Sequence, residues 1–258
     1  MDSAIGWVGG KRLLRKKIIP LIPQHEVYCE VFGGAGWVLF GKSPDKACWM
    51  PEGKGTYTEV FNDVNGDLIN FWRYLRQHPE AFVAELNTCL VSREAFFKAK
   101  ETTPRTELDR AVLFYYKLAC SYGGFSRIFT ILTKQHYLPL RSLERVRGVA
   151  ERLRHVIIEN MDFRKLIDRY DSPTTFFYLD PPYYTKESFY KRDNAEAFDQ
   201  HEELARVLHG IKGKFILSYN DHEAIRALYS DVRIDTVDAP YTLGQRHSSV
   251  PELLIRNF

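Results

Sequence analysis

The chain is poor in the features that mark secreted, metal-stapled or membrane-embedded proteins. Its four cysteines, Cys29, Cys48, Cys89 and Cys120, are scattered and form no Cys-x-x-Cys pair. That argues against a disulfide framework and against paired thiolates around zinc, and favours a reducing compartment. No apolar run approaches the roughly 20 residues that a membrane-spanning helix needs. The N-terminal basic residues follow Trp7, the wrong side for a secretory signal. A cytoplasmic protein with no membrane contact is therefore expected. Neither sign of charge dominates, since the formal net charge is only +3 over 258 residues. There is no internal repeat, low-complexity tract or linker. The length, with 45% hydrophobic residues, fits one large domain or a core carrying an insertion.

Common catalytic signatures are missing too. His201-Glu202-Glu203 lacks a second histidine at helical spacing, and His209 lies too far on for a zinc motif, so no metal is expected and the scattered histidines read as structural. There is no Gly-x-Ser-x-Gly elbow, and no thiol near Asp180 to attack a pyrimidine ring. The stretch Gly6-Trp7-Val8-Gly9-Gly10-Lys11-Arg12 looks like a truncated P-loop. It lacks the spacer after its first glycine, however, and Arg12 replaces the Ser or Thr. A Trp and a Lys around a Gly-Gly turn suit covering a cofactor instead, the indole packing on it and the ammonium pairing with a carboxylate. A disordered basic start is the alternative.

What is present is concentrated in two places. Thr174 to Leu179 is an apolar, β-rich run, and Asp180-Pro181-Pro182-Tyr183-Tyr184 follows it directly. Proline has no backbone N–H and a fixed φ, so a central strand cannot continue through this pair, and carbonyls are left available. A carboxylate, a rigid turn and a flat ring together suit a planar group bearing an exocyclic amine. The amine hydrogens would go to Asp180 and a backbone carbonyl, with the ring against Tyr183. A plain strand-terminating turn is the alternative here. The second place is Val27 to Phe32, a strand pattern running into Gly33-Gly34-Ala35-Gly36 and a helix-like Trp37 to Phe40. Such a turn lets backbone approach a ligand closely, with the helix N-terminus favouring negative charge. The spacing is Gly-Gly-x-Gly and departs from the dinucleotide fingerprint. Asp63, just past the next strand (Thr56 to Phe61), is placed to accept hydrogen bonds from two ribose hydroxyls. Together these describe a nucleoside-bearing cofactor with no need for pyrophosphate.

Strand patterns nearly vanish between Leu75 and Val156. Helices are expected from Asp67 to Leu75, from His78 through Leu86, from Arg93 to Lys100, from Arg110 to Tyr122 and from Leu143 to Leu153. Strands return at Val156 to Ile158, Phe176 to Leu179, Phe215 to Leu217, Val232 to Val237 and Leu253 to Ile255. Alternating strands and helices predict a parallel sheet. Residues 70–155 read as a helical insertion, with residues 1–69 and 156–258 forming the core. Cations cluster at Lys11 to Lys17 and again from Arg141 to His155, where five arginines face two glutamates. Such clusters form either a solvated face or a phosphate-binding one.

Taken in order, these blocks resemble the Dam-like, D12-class DNA adenine-N6 methyltransferases, in the motif order labelled alpha. The resemblance rests on Trp7 to Lys11, Glu30-Val31-Phe32-Gly33-Gly34-Ala35-Gly36, and Phe61-Asn62-Asp63-Val64-Asn65-x-Asp67-Leu68-Ile69-Asn70. It continues through Glu159-Asn160-Met161-Asp162-Phe163, Asp180-Pro181-Pro182-Tyr183, Phe198 with His201, and Glu252 to Asn257. It implies a class I S-adenosylmethionine-dependent methyltransferase fold, α/β and Rossmann-like. The seven-stranded, mostly parallel sheet would end in an antiparallel hairpin, and the helical insert would be the target-recognition part. By the same resemblance Trp7 and Lys11 help enclose S-adenosylmethionine, and Phe32, Gly33, Gly34 and Gly36 turn beside its methionine moiety. Asp63 takes the ribose hydroxyls, Asp162 and Phe163 flank its adenine, and Asp180 stands between cofactor and target base.

The implied reaction is site-specific methylation of a flipped-out adenine in duplex DNA. Asp180 and the Pro181 carbonyl would accept the N6 hydrogens and Tyr183 would stack on the base, with Pro182 completing the motif; Tyr184, Phe189 and Tyr190 are candidates for the same pocket. DNA contacts are expected at Ser121 to Arg127, Lys134, Arg141, Arg145 and Arg147. The family's Phe-Asn-(Val/Ile)-Pro hairpin signature is missing from Ile128 to Arg141, so the resemblance does not carry a GATC target with it. A monomer suffices, and a cognate restriction endonuclease is a partner to consider. Two other readings stand beside this one: a DNA-binding module that kept the fold without activity, and a methyltransferase acting on RNA or protein. Enzymes of the latter kind tend to carry Asn-Pro-Pro-Tyr, so the aspartate favours DNA.

Overall fold

A computed structural model describes residues 1–7, 11–50, 56–121, 128–130, 140, 142–184, 198–241 and 248–258. In chain order the elements are α1 (Arg15–Ile18), β1 (Val27–Glu30), α2 (Trp37–Gly41), β2 (Thr58–Asn62), α3 (Gly66–Gln77), α4 (Pro79–Thr88), α5 (Arg93–Glu101), α6 (Glu107–Ala119) and α7 (Leu143–Leu153). They continue with β3 (Val156–Glu159), α8 (Phe163–Tyr170), β4 (Thr175–Leu179), α9 (His201–His209), β5 (Lys214–Asn220), α10 (Glu223–Leu228), β6 (Arg233–Tyr241) and β7 (Ser248–Arg256). The seven strands are ordered β3-β2-β1-β4-β5-β7-β6. β1, β4 and β5 run parallel, whereas β7 is antiparallel to both β5 and β6. The expected mostly parallel sheet with an antiparallel closing hairpin is therefore present.

The chain divides into two compact units. The first comprises Met1–Arg12, Gly34–Pro44 and Phe61–Asn160. Its centre is α3, whose Leu68, Ile69, Phe71, Trp72 and Leu75 are buried. The Phe71 ring lies 4.9 Å from Trp72 and stacks on Tyr115 of α6 at 6.0 Å, so aromatic area supplies much of this core. Helix starts follow the capping rules. Asn65 accepts from the Asp67 and Leu68 amides, Ser92 caps α5, and Ser142 caps α7. The start of α6 differs from expectation. It begins at Glu107, three residues before Arg110, because Thr106 and Asp109 form a reciprocal capping box. It also ends at Ala119 instead of Tyr122, since Ser121 turns into an isolated bridge with Phe129. Arg73 and Arg76 of α3 donate to the Ile158 and Val156 carbonyls of the edge strand β3, which satisfies acceptors an edge would leave unpaired.

The second unit comprises Leu13–Gly33, Asp45–Val60 and Met161–Phe258. Every residue of β4 is buried, as expected for a central parallel strand covered on both faces. Alternation sorts the side chains. Cys29, Val31, Phe177, Leu179, Phe215, Leu217, Tyr219, Leu253 and Ile255 enter one apolar core with Leu166 of α8, Leu204 of α9 and Ile225 of α10. The opposite face buries the hydroxyl- or carboxylate-bearing Tyr28, Glu30, Tyr178, Ser218 and Glu252 beside apolar Phe176, Ile216 and Leu254.

A peripheral contact in this unit is pH-dependent. His209 presents Nδ1 to the Ala205 carbonyl at 2.6 Å and Nε2 to Asp231 at 2.8 Å. Both ring nitrogens face acceptors, so the imidazolium is favoured, and Asp231 first and the carbonyl second raise its pKa. A raised histidine stabilises fully below the unfolded value of about 6.5 and loses that contribution as pH rises through the folded value. The gap in melting temperature between wild type and His209→Ala is therefore expected to be widest near pH 6 and to narrow toward alkaline pH. A gap that stays constant with pH would contradict the assignment.

Candidate active site

In the second unit the strand order reverses between β1 and β4, the position at which open α/β sheets bind ligands beyond the carboxyl ends of their strands. β1 pairs in parallel with β4 from Val27–Thr175 to Glu30–Tyr178, and the Val31 amide donates to the Tyr178 carbonyl at 3.0 Å. Phe32 and Gly33 therefore leave β1 beside the point where β4 leaves the sheet at Asp180. Asp180 is half-buried, Pro181 buried and Pro182 exposed.

Three side chains from β5 and β7 hold the segment that follows β4. The Ser218 hydroxyl donates to Asp180 Oδ1 at 3.0 Å. The Tyr183 hydroxyl donates to Glu252 Oε1 at 2.5 Å. Asn220 accepts from the Tyr184 amide at 3.0 Å and donates to the Tyr184 carbonyl at 2.9 Å, so its carboxamide replaces a strand partner. Ser218 and Asn220 alternate along β5, and Asn220 pairs with Glu252 across the β5–β7 ladder. None of the three was singled out for a role from the sequence. The signal that could have found them is a Ser-x-Asn pair interrupting an apolar strand.

Aromatic rings gather next to this segment. Phe32 lies 5.9 Å from Phe163 and 5.7 Å, edge-on, from Phe198. Phe163 is buried and opens α8, with Asp162 as its cap. The Asp162 carboxylate takes the Arg164 guanidinium through both oxygens at 2.7 Å and caps the Arg164 amide. Arg164 holds its pKa below the usual carboxylate range. Whatever else Asp162 does, its carboxylate already serves the helix start. His201, buried beside Tyr184 and Phe198, has Nδ1 2.6 Å from the Tyr219 hydroxyl. Burial lowers its pKa, so the ring is neutral.

The first unit contains the glycine turn and the acid after β2. Gly34 and Gly36 have φ of 49° and 68°, in the left-handed region that favours glycine. A Cβ on Gly34 would come within 3.0 Å of the Trp7 indole, which covers the turn. The Gly34 amide donates to Asp63 Oδ2 at 3.0 Å and the Trp72 indole donates to the Gly34 carbonyl at 3.2 Å. Asp63 Oδ1 takes the Asn65 amide at 2.8 Å, and Asn160 donates to the Asp63 carbonyl at 2.7 Å. α2 has only five residues, and the turn's amide points to the protein's own carboxylate. Lys11 is buried, and Val64, next to Asp63, is 71% exposed. That exposed valine also escaped the sequence reading.

The basic residues of the insert divide by partner. Arg145 donates to the Ser3 carbonyl at 3.4 Å, and Arg152, seven residues on, donates to the Leu39 carbonyl at 2.7 Å. Arg147 is exposed and pairs with Glu80 at 2.9 Å. Arg127, Lys134, Arg141, Phe189 and Tyr190 lie outside the described residues.

A seven-stranded sheet in this order, with a glycine turn after β1, an acid after β2 and an acidic loop after β4, defines a class I S-adenosylmethionine-dependent methyltransferase. The family model for D12 class N6 adenine-specific DNA methyltransferases matches residues 7–243, and the chain belongs to that family. It is 26% identical to the type II methyltransferase M1.LlaDCHI of Lactococcus lactis subsp. cremoris over 98% of this chain and 94% of the relative. It is 26% identical to a DNA adenine methylase of Vibrio cholerae, covering 96% of this chain and 93% of the relative. With the type II methyltransferase M.MjaIII of Methanocaldococcus jannaschii the identity is 22%, over 98% and 97%. The protein is a DNA adenine-N6 methyltransferase, and its methyl donor is S-adenosylmethionine. The residues present fit that donor: an acid beside an exposed apolar side chain suits a ribose and its attached base.

The Tyr183–Glu252 bond gives a direct test of the loop's anchoring. Tyr183→Phe keeps the ring but removes a hydrogen bond to a buried carboxylate, an expected loss of about 1–3 kcal/mol, or roughly 2–10 °C in melting temperature. In a double-mutant cycle with Glu252→Gln the two effects should couple by about 0.5 kcal/mol or more. Strict additivity would mean that the two side chains do not act on each other.

Proposed function

We propose that Asp180 and the Pro181 carbonyl accept the two N6 hydrogens of an adenine rotated out of duplex DNA, with Tyr183 stacked on its ring. The observation that carries this reading is the Asp-Pro-Pro-Tyr segment leaving β4 at the reversal of strand order, fixed at positions 180, 183 and 184 by β5 and β7. The adenine amine is a poor nucleophile because its lone pair is delocalised into the ring. Two acceptors that favour a pyramidal nitrogen expose that lone pair. Alignment and preorganised acceptors supply the rate, and a strong base is unnecessary because the nitrogen becomes acidic only as it is alkylated. The bound cofactor supplies an electrophilic methyl group on a sulfonium. Asp63 takes the ribose hydroxyls, since each carboxylate oxygen can accept more than one hydrogen bond. Trp7 and Lys11 enclose the cofactor, Phe32, Gly33, Gly34 and Gly36 line its amino-acid end, and Asp162 and Phe163 flank its base.

Rotating a base out of the stack costs roughly a few kcal/mol, which phosphate contacts offset. Residues 70–155 supply target recognition and residues 1–69 with 156–258 the catalytic core. Arg127, Lys134, Arg141, Arg145 and Arg147 contact the DNA backbone, and the exposure of Arg145 and Arg147 supports it. Among the described residues no helix is long and apolar enough to cross a membrane. The DNA substrate supports a cytoplasmic location, and the enzyme acts on its site-specific target as a monomer. The type II names of M1.LlaDCHI and M.MjaIII support a cognate restriction endonuclease as partner.

Transfer of tritiated methyl groups to duplex DNA, single-stranded DNA and RNA tests this reading. Labelled adenine in duplex DNA is expected, and label found only in RNA or protein would refute it. Asp180→Ala should lower transfer by at least about a hundredfold while duplex binding, read by fluorescence anisotropy, survives. Normal binding without transfer by the wild type would favour a silent DNA-binding module.

A further inference from the structure

Ser218 lies outside the sequence blocks that carry the resemblance, yet it is fully buried in the middle of the sheet, between Leu217 and Tyr219. A hydroxyl in that position is costly unless it is hydrogen-bonded. β4 and β5 are in parallel register from Phe176–Lys214 to Leu179–Leu217, and one step further along that ladder sets Ser218 opposite Asp180. Three groups surround the Ser218 oxygen: Asp180 Oδ1 at 3.0 Å, the Tyr178 hydroxyl at 3.2 Å and the Leu179 carbonyl at 3.3 Å. Serine has one proton to donate, and the carboxylate is both nearest and the strongest acceptor. The Tyr178 hydroxyl then donates to Ser218. Its proton is secure, because burial first and the charge of Asp180 second raise its pKa well above the usual tyrosine value.

The chain of donors therefore runs from Tyr178 through Ser218 to Asp180. The torsion that turns a carboxylate about its last carbon–carbon bond is broad and weakly restrained. A donor fixed on Oδ1 sets the plane of the group and the direction in which Oδ2 accepts. We propose that Ser218, backed by Tyr178, is a positioning residue for methyl transfer, holding the Asp180 carboxylate in the plane that receives the adenine amine. This rests on Asp180 being that acceptor.

The test measures single-turnover methyl transfer to unmethylated duplex DNA, together with KM for DNA and for S-adenosylmethionine, and thermal melting. Ser218→Ala should lower the rate by about 10- to 100-fold, the range seen when a reacting group is slightly misplaced. Both KM values should stay within about twofold, the pattern of an interaction that acts on the chemical step. Ser218→Cys, whose thiol is a weak donor, should fall between wild type and Ser218→Ala. Ser218→Ala also removes the acceptor for Tyr178 and should melt earlier. Tyr178→Phe combined with Ser218→Ala leaves no unpaired phenol, so it should recover the melting temperature while remaining slow. Wild-type turnover in Ser218→Ala, or recovery of rate along with stability in the double variant, would overturn the proposal. Asp180→Ala, which leaves no side-chain acceptor, separates the two levels. An active Asp180→Ala removes the premise, whereas an inactive one beside a fully active Ser218→Ala refutes the role of Ser218 alone.

Discussion

An aromatic amine gives an enzyme little to work with, so its acceptors must be in place before the chemistry begins. In the function proposed for this protein, that requirement falls on the point where β4 ends. A strand buried on both faces has nowhere to go when its next residues are prolines, and the chain must leave the sheet at Asp180. Its neighbour β1 leaves at the same level through Phe32 and Gly33. A carboxylate at the tip of a rigid strand has a fixed backbone but a free rotor. The rotor is restrained from the next strand, by Ser218. Rigidity thus comes from the sheet and orientation from a cross-strand hydrogen bond.

The glycine turn after β1 follows a different logic from the dinucleotide turns it resembles. There, amides at a helix start face a pyrophosphate. Here α2 is a single short turn of helix and the Gly34 amide is already satisfied by Asp63. The turn therefore organises the acid. This explains why positive φ is needed at Gly34 and Gly36 even without a phosphate. Any Cβ at Gly34 would press on Trp7, and one at Gly36 would press on Phe40 and Phe61. The two glycines let the turn approach its own protein.

The sheet, the helical middle and the two acidic corners were legible because each is written in contiguous residues. β-rich runs bounded by glycine, proline or Asn-Asp mark the strands, and periods of three and four mark α3 to α7. The start of α6 was misplaced because its capping box, formed by Thr106 and Asp109, lies ahead of the apolar run that begins at Ala111. What could not be read are the partners of single polar residues. Ser218 meets Asp180 across 38 residues, Tyr183 meets Glu252 across 69, and Arg145 meets Ser3 across 142. A lone serine in Phe-Ile-Leu-Ser-Tyr-Asn carries no local clue to which strand lies beside it. For the same reason the arginines of α7 looked equivalent in sequence. Folding sends Arg145 and Arg152 to backbone carbonyls and Arg147 to the Glu80 carboxylate.

The distribution of buried polar groups in the second unit follows from the same economy of desolvation. One face of the central strands is mostly apolar where it meets α8, α9 and α10, with Tyr219 and His201 as a hydrogen-bonded pair within it. On the other face the polar residues fall toward the ends from which the loops emerge: Glu30 closes β1, Asp180 follows β4, and Ser218 and Asn220 end β5. Glu252 lies opposite Asn220 on the antiparallel β7. Earlier on the same face stand Phe176 and Ile216, which are fully buried and apolar. Buried polar side chains weaken a core unless paired, and these occur where pairing with the departing loop is available. Polar residues placed at the carboxyl edge therefore let the sheet keep an apolar middle. Glu252 shows how strict the arrangement is. Its strand runs the opposite way, so the position that reaches Tyr183 comes near the start of the apolar run and not at its end.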